Sequence, residues 1–271
     1  MNKVILSVFF SVFLFAAGCG KVSIQDELEL VPGLCFLHVH VENTMDTSLI
    51  PEDISDFIPL WLCDSLRIRG NFGVSLLGVN LTDFSPQLIF LSRDVGTDDM
   101  LRFGTDGFLC DFEEKPDSYN LIDDRGGMIG SIARRDGWTC LITGNGSDRA
   151  VERWLDLEVE ESLASDTNLI SISESDADLT LLISHNSISF VSVIPTGMLS
   201  REQIGMLNSV KSMIQTYNPQ ALRISFDISN VKPPVIDLEF QLVRGGNNIT
   251  TFSVSLSDTE ITPADIIQAI I

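Results

Sequence analysis

The stretch MIGSIARRDGWTCLIT, residues 128–143, decides the fold. Met128–Arg134 and Thr139–Thr143 read as two strands. Between them, Arg135-Asp136-Gly137-Trp138 reads as a hairpin turn in which Gly137 tolerates the positive φ such turns need. The same period-two alternation, punctuated by Gly, Asn and Asp turns, runs through most of the chain. It predicts strands at Leu34–Val41, Gly73–Val79, Gln87–Leu91, Ser118–Ile122, Asn168–Ile172, Leu179–Ser184, Ile188–Ile194, Ala221–Ile228, Val235–Val243 and Thr250–Leu256.

Helical spacing is confined to a few places. Ile204, Leu207, Val210, Ile214 and Tyr217 form one stripe over Arg201–Tyr217, with Ser200 and Gln203 as a capping box and Asn218-Pro219 as the stop. A second helix is predicted from Asp148 to about Leu157, with Ser147 as N-cap and Val151, Trp154 and Leu155 facing inward. A third starts at Pro51, and Pro59 bends or ends it. The fold class is therefore α+β, built on an antiparallel sheet. Strand Leu34–Val41 with the Pro51 helix and two strands, and strand Ile188–Ile194 with the Arg201 helix and two strands, predict two related β-α-β-β units with helices on one sheet face. The corresponding halves are residues 30–165 and 166–271.

The N-terminus carries a different signal. Lys3 is followed by an apolar run, Val4–Phe15, and by the small residues Ala16-Ala17-Gly18 before Cys19. This run resembles the lipobox of bacterial lipoproteins, although that motif normally carries Leu where this chain has Ala16. The resemblance implies that residues 1–18 are a signal peptide and that Cys19 becomes the first mature residue, thioether-linked to diacylglycerol. Acyl chains at about 0.8 kcal/mol per buried methylene hold such a protein on a bilayer, so the membrane is the expected partner through Cys19. Gly20 and Lys21, in place of Asp, resemble lipoproteins released to the outer membrane of two-membrane bacteria. Residues 19–29 then read as a lipidated tether.

A looser resemblance covers much of the mature region. The Val31-Pro32-Gly33 entry into the first strand, Asp136-Gly137-Trp138 leading through Gly144-Asn145-Gly146-Ser147 into a helix, and Ser162-Leu163-Ala164-Ser165-Asp166 resemble bacterial envelope families that carry domains of unknown function. That resemblance implies an extracytoplasmic, β-rich protein and brings no catalytic residues.

Charge narrows the function classes. With 38 acidic and 17 basic side chains the chain has a formal net charge of -21, which opposes binding to nucleic acid or to anionic lipid head groups. Besides Cys19 the cysteines are Cys35, Cys63, Cys110 and Cys140, all in apolar runs. Two arrangements stay open: the local disulfides Cys35–Cys63 and Cys110–Cys140, or four buried thiols. His38, His40 and Glu42 alternate on one strand face and have the residue types to hold zinc or copper, but a solvent-facing row is the simpler expectation. The chain has no CxxC and no GxSxG, and no cofactor is expected. The leading expectation is a non-catalytic, membrane-anchored envelope lipoprotein that binds a partner or supports the envelope. The alternative is a carrier of a lipid or other apolar ligand.

Overall fold

The computed structural model describes residues 23–42, 71–79, 86–108, 110–188, 201–229, 235–245 and 248–256. The third predicted helix, from Pro51, and Cys19 and Cys63 lie outside them. Eleven strands form one antiparallel sheet: β1 (Leu37–Val41), β2 (Phe72–Val79), β3 (Pro86–Ser92), β4 (Asp111–Glu114), β5 (Ser118–Ile122), β6 (Met128–Arg135), β7 (Trp138–Thr143), β8 (Leu179–Ser184), β9 (Ala221–Ser229), β10 (Val235–Arg244) and β11 (Asn248–Leu256). Their order across the sheet is β11-β10-β9-β8-β1-β2-β3-β7-β6-β5-β4. Helices with both ends among the described residues are α1 (Ile24–Leu28), α2 (Thr97–Phe108), α3 (Ser147–Leu155), α4 (Thr167–Ile170) and α5 (Arg201–Tyr217).

The hairpin forms as its sequence demands. Arg135 pairs with Trp138, and Asp136 and Gly137 take φ of 51° and 85°, the left-handed pair of a two-residue turn whose twist matches the strands. Arg135 then reaches over the end of α3, donating Nη1 to the carbonyls of Trp154 (3.1 Å) and Leu157 (2.7 Å). It thereby satisfies carbonyls that a helix end leaves without partners. Helix α5 has the predicted bounds, and Asn218 ends it at φ 45° with its N–H on the Ile214 carbonyl.

Both sheet faces are covered, which corrects the expectation of helices on one face. Along β7 the side chains alternate between two cores. Trp138, Cys140 and Ile142 join Ile24, Leu28, Val151, Trp154 and Leu169 beneath α1, α3 and α4. Leu141 points the other way and joins Val39, Phe72, Phe90, Ile132 and Met100, the last of these from α2. A strand buried on both sides needs apolar residues at successive positions, as in Cys140-Leu141-Ile142. Each such side chain contributes roughly 1.5–3 kcal/mol when fully buried.

Other expectations are corrected locally. Asn168–Ile172 is not a strand: Asp166 accepts from the N–H groups of Asn168 and Leu169 and starts α4. Residues 185–188 are helical where the expected strand Ile188–Ile194 was to begin, and the rest of that strand lies outside the described residues; among the described residues the strand before α5 is β8. The distal part of the expected tether, Ile24–Leu28, is a helix in the core, with Ile24 and Leu28 buried. Ser147 is not the cap of α3. Gly146 takes that place at φ 78°, and Ser147 is buried against Ser131 at 3.0 Å.

Trp154 ties α3 to the N-terminal segment. Its ring is buried under the sheet, and Nε1 donates to the Leu30 carbonyl at 2.8 Å. Trp154→Phe leaves that carbonyl buried without its donor, so the midpoint of urea unfolding should fall by the equivalent of about 1–3 kcal/mol. A change below about 0.5 kcal/mol, the range of an ordinary surface substitution, would show that the bond does not tie the helix to the N-terminal segment.

Candidate functional site

The most polar buried cluster lies at the centre of the sheet, under α1. In β1 the side chains of Leu37, Val39 and Val41 enter the α2-side core, so His38 and His40 point to the opposite face, as alternation requires. The ladder sets Ser75 and Leu182 beside His38, and Gly73 and Thr180 beside His40. Ile24, Glu27 and Leu28 share one stripe of α1, so the helix that buries two apolar side chains also delivers a carboxylate to the imidazoles. Glu27, His38 and His40 are 1%, 0% and 2% exposed.

Glu27 Oε2 accepts from His40 Nδ1 at 2.6 Å and lies 3.5 Å from His38 Nε2. The other His40 nitrogen, Nε2, faces Glu42 Oε2 at 3.4 Å, and Asn71 Nδ2 donates to that same oxygen at 3.2 Å. His38 Nδ1 and Ser75 Oγ are 2.9 Å apart. A row of groups therefore runs from the partly exposed Glu42 through His40 and Glu27 to His38 and Ser75. A carboxylate on each side favours the imidazolium form of His40.

Burial by itself would raise the Glu27 carboxyl, but the charge on His40 and the N–H groups of His38 and His40 outweigh it and hold it at about 2. Burial by itself would lower His40, and Glu27 and Glu42 outweigh that and raise it above its ordinary 6.5. Gly73 makes room for the pair: a Cβ there would overlap Glu27 Oε1 and lie 2.8 Å from His38 Cε1.

His38 and His40 share a face, as the sequence predicts, but the face is interior and not solvent-facing. The reason is α1, which the sequence reading treated as tether. Among the described residues no three of His, Cys, Asp and Glu are arranged to hold a metal. Glu27, His38 and Ser75 have the residue types of an acid–histidine–serine relay, and all three are at most 1% exposed. What the cluster does chemically is hold an ion pair inside the sheet.

Of the two cysteine arrangements left open, the Cys110–Cys140 disulfide is not formed, and Cys63 lies outside the described residues. Cys35, Cys110 and Cys140 are thiols. Cys140 is in β7 and Cys110 immediately precedes β4, three strands away; at about 4.8 Å per strand that separation exceeds what a disulfide spans. Burial pushes the Cys35 thiol up to about 12 and Cys140 well above its ordinary value, so neither is a nucleophile near neutral pH.

Two clefts lie away from this centre. One, of about 560 Å³, is lined by Glu114, Lys115, Asp117, Arg134 and Glu152 among others. The other, of about 550 Å³, is lined by Glu174, Asp176, Arg223, Asp227 and Glu239 among others. There Arg223 bonds the Ile172 and Glu174 carbonyls and the Glu239 carboxylate. Burial and the neighbouring Asp178, Asp237 and Glu239 charges raise Asp227.

No family model, curated protein or solved structure matches this chain.

Removing Glu27 strands a buried imidazolium, and losing one partner of a buried pair costs roughly 3–5 kcal/mol. Glu27 contributes fully above its ordinary 4.5, and the contribution fades as pH falls toward about 2. His40 contributes fully below its ordinary 6.5, and its contribution fades as pH rises through its raised folded value. The stability gap between the parent and Glu27→Gln, measured by denaturant unfolding, should therefore be widest between pH 4.5 and 6.5 and narrow on both sides. A gap independent of pH would contradict an ionised pair. Gly73→Ala, which pushes a methyl group into the same carboxylate, should destabilise in the same direction.

Proposed function

We propose that the protein is a non-catalytic envelope lipoprotein, anchored in the membrane by lipid on Cys19, whose sheet serves as a scaffold or partner-binding body beside the bilayer. The N-terminal run Lys3 to Cys19 supports the anchor. The observation that carries the membrane-proximal reading is α1, which begins only five residues after Cys19 and is fastened through Glu27 to the centre of the sheet. Five extended residues reach at most about 18 Å, so a lipidated Cys19 would keep the whole sheet close to the membrane. In a two-membrane organism Gly20 and Lys21 favour the outer membrane.

The sheet order also supports the inferred pair of related units, residues 30–165 and 166–271. From the central neighbours β1 and β8, the series β1-β2-β3 and β8-β9-β10 run outward in opposite directions. In the second series α5 lies between the first two strands. Among the described residues the second unit would thus open at β8. The carrier alternative asks for an apolar cavity, and the two clefts described above, with their charged linings, give it no support.

Cys19→Ser tests the anchor. The parent chain, produced in a bacterium with lipoprotein processing, should incorporate radiolabelled palmitate and partition with membranes. The variant should incorporate none and appear in the soluble fraction. Equal labelling of the two chains would overturn the reading.

A further inference from the structure

The two edges of the sheet are built differently. β4, at one edge, is four residues long, reads Asp111-Phe112-Glu113-Glu114 and is exposed throughout. Three carboxylates on so short a strand repel a further strand, the usual protection of an open edge. β11, at the other edge, is nine residues long, reads Asn-Ile-Thr-Thr-Phe-Ser-Val-Ser-Leu, and has no charge and no proline. It pairs with β10 over its whole length, from Asn248 opposite Arg244 to Leu256 opposite Ile236. Among the described residues nothing pairs with its outer side. Ile249 is 48% exposed, and Thr251, Ser253 and Ser255, which share its face, are exposed too.

The sequence of this strand is near-symmetric for two residues on either side of Phe252. Thr251 and Ser253 are both small hydroxyl residues, and Thr250 and Val254 are β-branched residues of nearly equal shape. Phe252 packs against Leu238 and Phe240 at the end of a small apolar cluster that stops at the edge. A chain with a net charge of -21 repels its own copies, and this uncharged strand is where two copies approach with the least opposition.

We propose that β11 is a homodimer interface, at which two copies of this chain pair β11 with β11 antiparallel about a twofold axis through Phe252. Thr251 then opposes Ser253 of the partner subunit, and Thr250 opposes Val254 of the partner subunit. The apolar cluster around Phe240 continues across the axis through both Phe252 rings, and the sheets of the two copies become one. Such an isologous contact closes on itself and leaves only the acidic β4 edges exposed. The proposal does not rest on the lipid anchor.

The full chain, purified in detergent, should sediment as a dimer. Thr251→Lys with Ser253→Lys puts charge on two exposed edge positions without touching the core; it should halve the particle mass while the circular dichroism spectrum stays unchanged. Register is tested by co-expressing one copy carrying Thr251→Cys with another carrying Ser253→Cys and adding a short bifunctional thiol reagent. Above the parent's background, the mixture should cross-link at least several-fold more than either variant alone. A monomeric parent chain, a lysine variant that stays dimeric, or equal cross-linking of single and mixed variants would each overturn the proposal.

Discussion

The contact between Glu27 and His40 sits where the sheet, the N-terminal helix and the first half of the chain meet, and the other elements are arranged around it. A carboxylate 1% exposed and an imidazole 2% exposed cannot be buried singly without a cost of several kcal/mol each, so both must arrive together and in one geometry. That condition fixes α1 over β1 and requires glycine at position 73. It also places the backbone on either side of the pair: β2 and β8 must flank β1 in the register that sets Gly73 and Thr180 beside His40. Apolar packing supplies most of the stability, and the ion pair adds a directional contact between α1 and β1.

The two cores follow from the same centre. On the face that carries the histidines, polar residues of β1, β2, β8 and β9 give way outward to Ile89, Leu91, Cys140 and Ile142, over which Trp154 and α3 close. On the other face the apolar side chains of β1, β2, β3, β6 and β7 meet α2 through Met100. The sheet extends to eleven strands among the described residues, with β3 and β7 buried on both faces and strands farther out exposing residues such as Asp227 and Asp237 to water.

What was legible in the sequence was local. The 128–143 hairpin, the strands Ser118–Ile122 and Leu179–Ser184 and the helix Arg201–Tyr217 stand where their periodicity put them, because turn chemistry and a caps-and-stripe pattern are written within a few residues. Helix α2, Thr-Asp-Asp-Met-Leu-Arg-Phe-Gly-Thr-Asp-Gly-Phe, was not found: two glycines and three aspartates weaken its helical propensity, and contact with the sheet overrides it. Asn168–Ile172 is short enough that one inward apolar pair fits a strand or a helical turn equally well. Asp166 settles the matter by capping. The cluster at the sheet centre was half legible. Alternation put His38 and His40 on one face, but Glu27 is 11 and 13 residues away from them in a segment read as tether, and only the Ile24-Glu27-Leu28 spacing hinted at an inward stripe. Of the two open cysteine arrangements, the Cys110–Cys140 pairing is excluded for a related reason, since proximity in sequence says nothing about how many strands intervene.

The central claim is that an ionised Glu27 holds a protonated His40 inside the sheet, and the ring nitrogens of His40 report on it directly. In two-bond proton–nitrogen correlation spectra recorded across a pH series, both His40 nitrogens should show imidazolium shifts, with a titration midpoint above the ordinary 6.5. That midpoint should drop when Glu27 is replaced by Gln. A His40 ring that titrates at or below 6.5, or that holds a single neutral tautomer in the parent chain, would contradict the account.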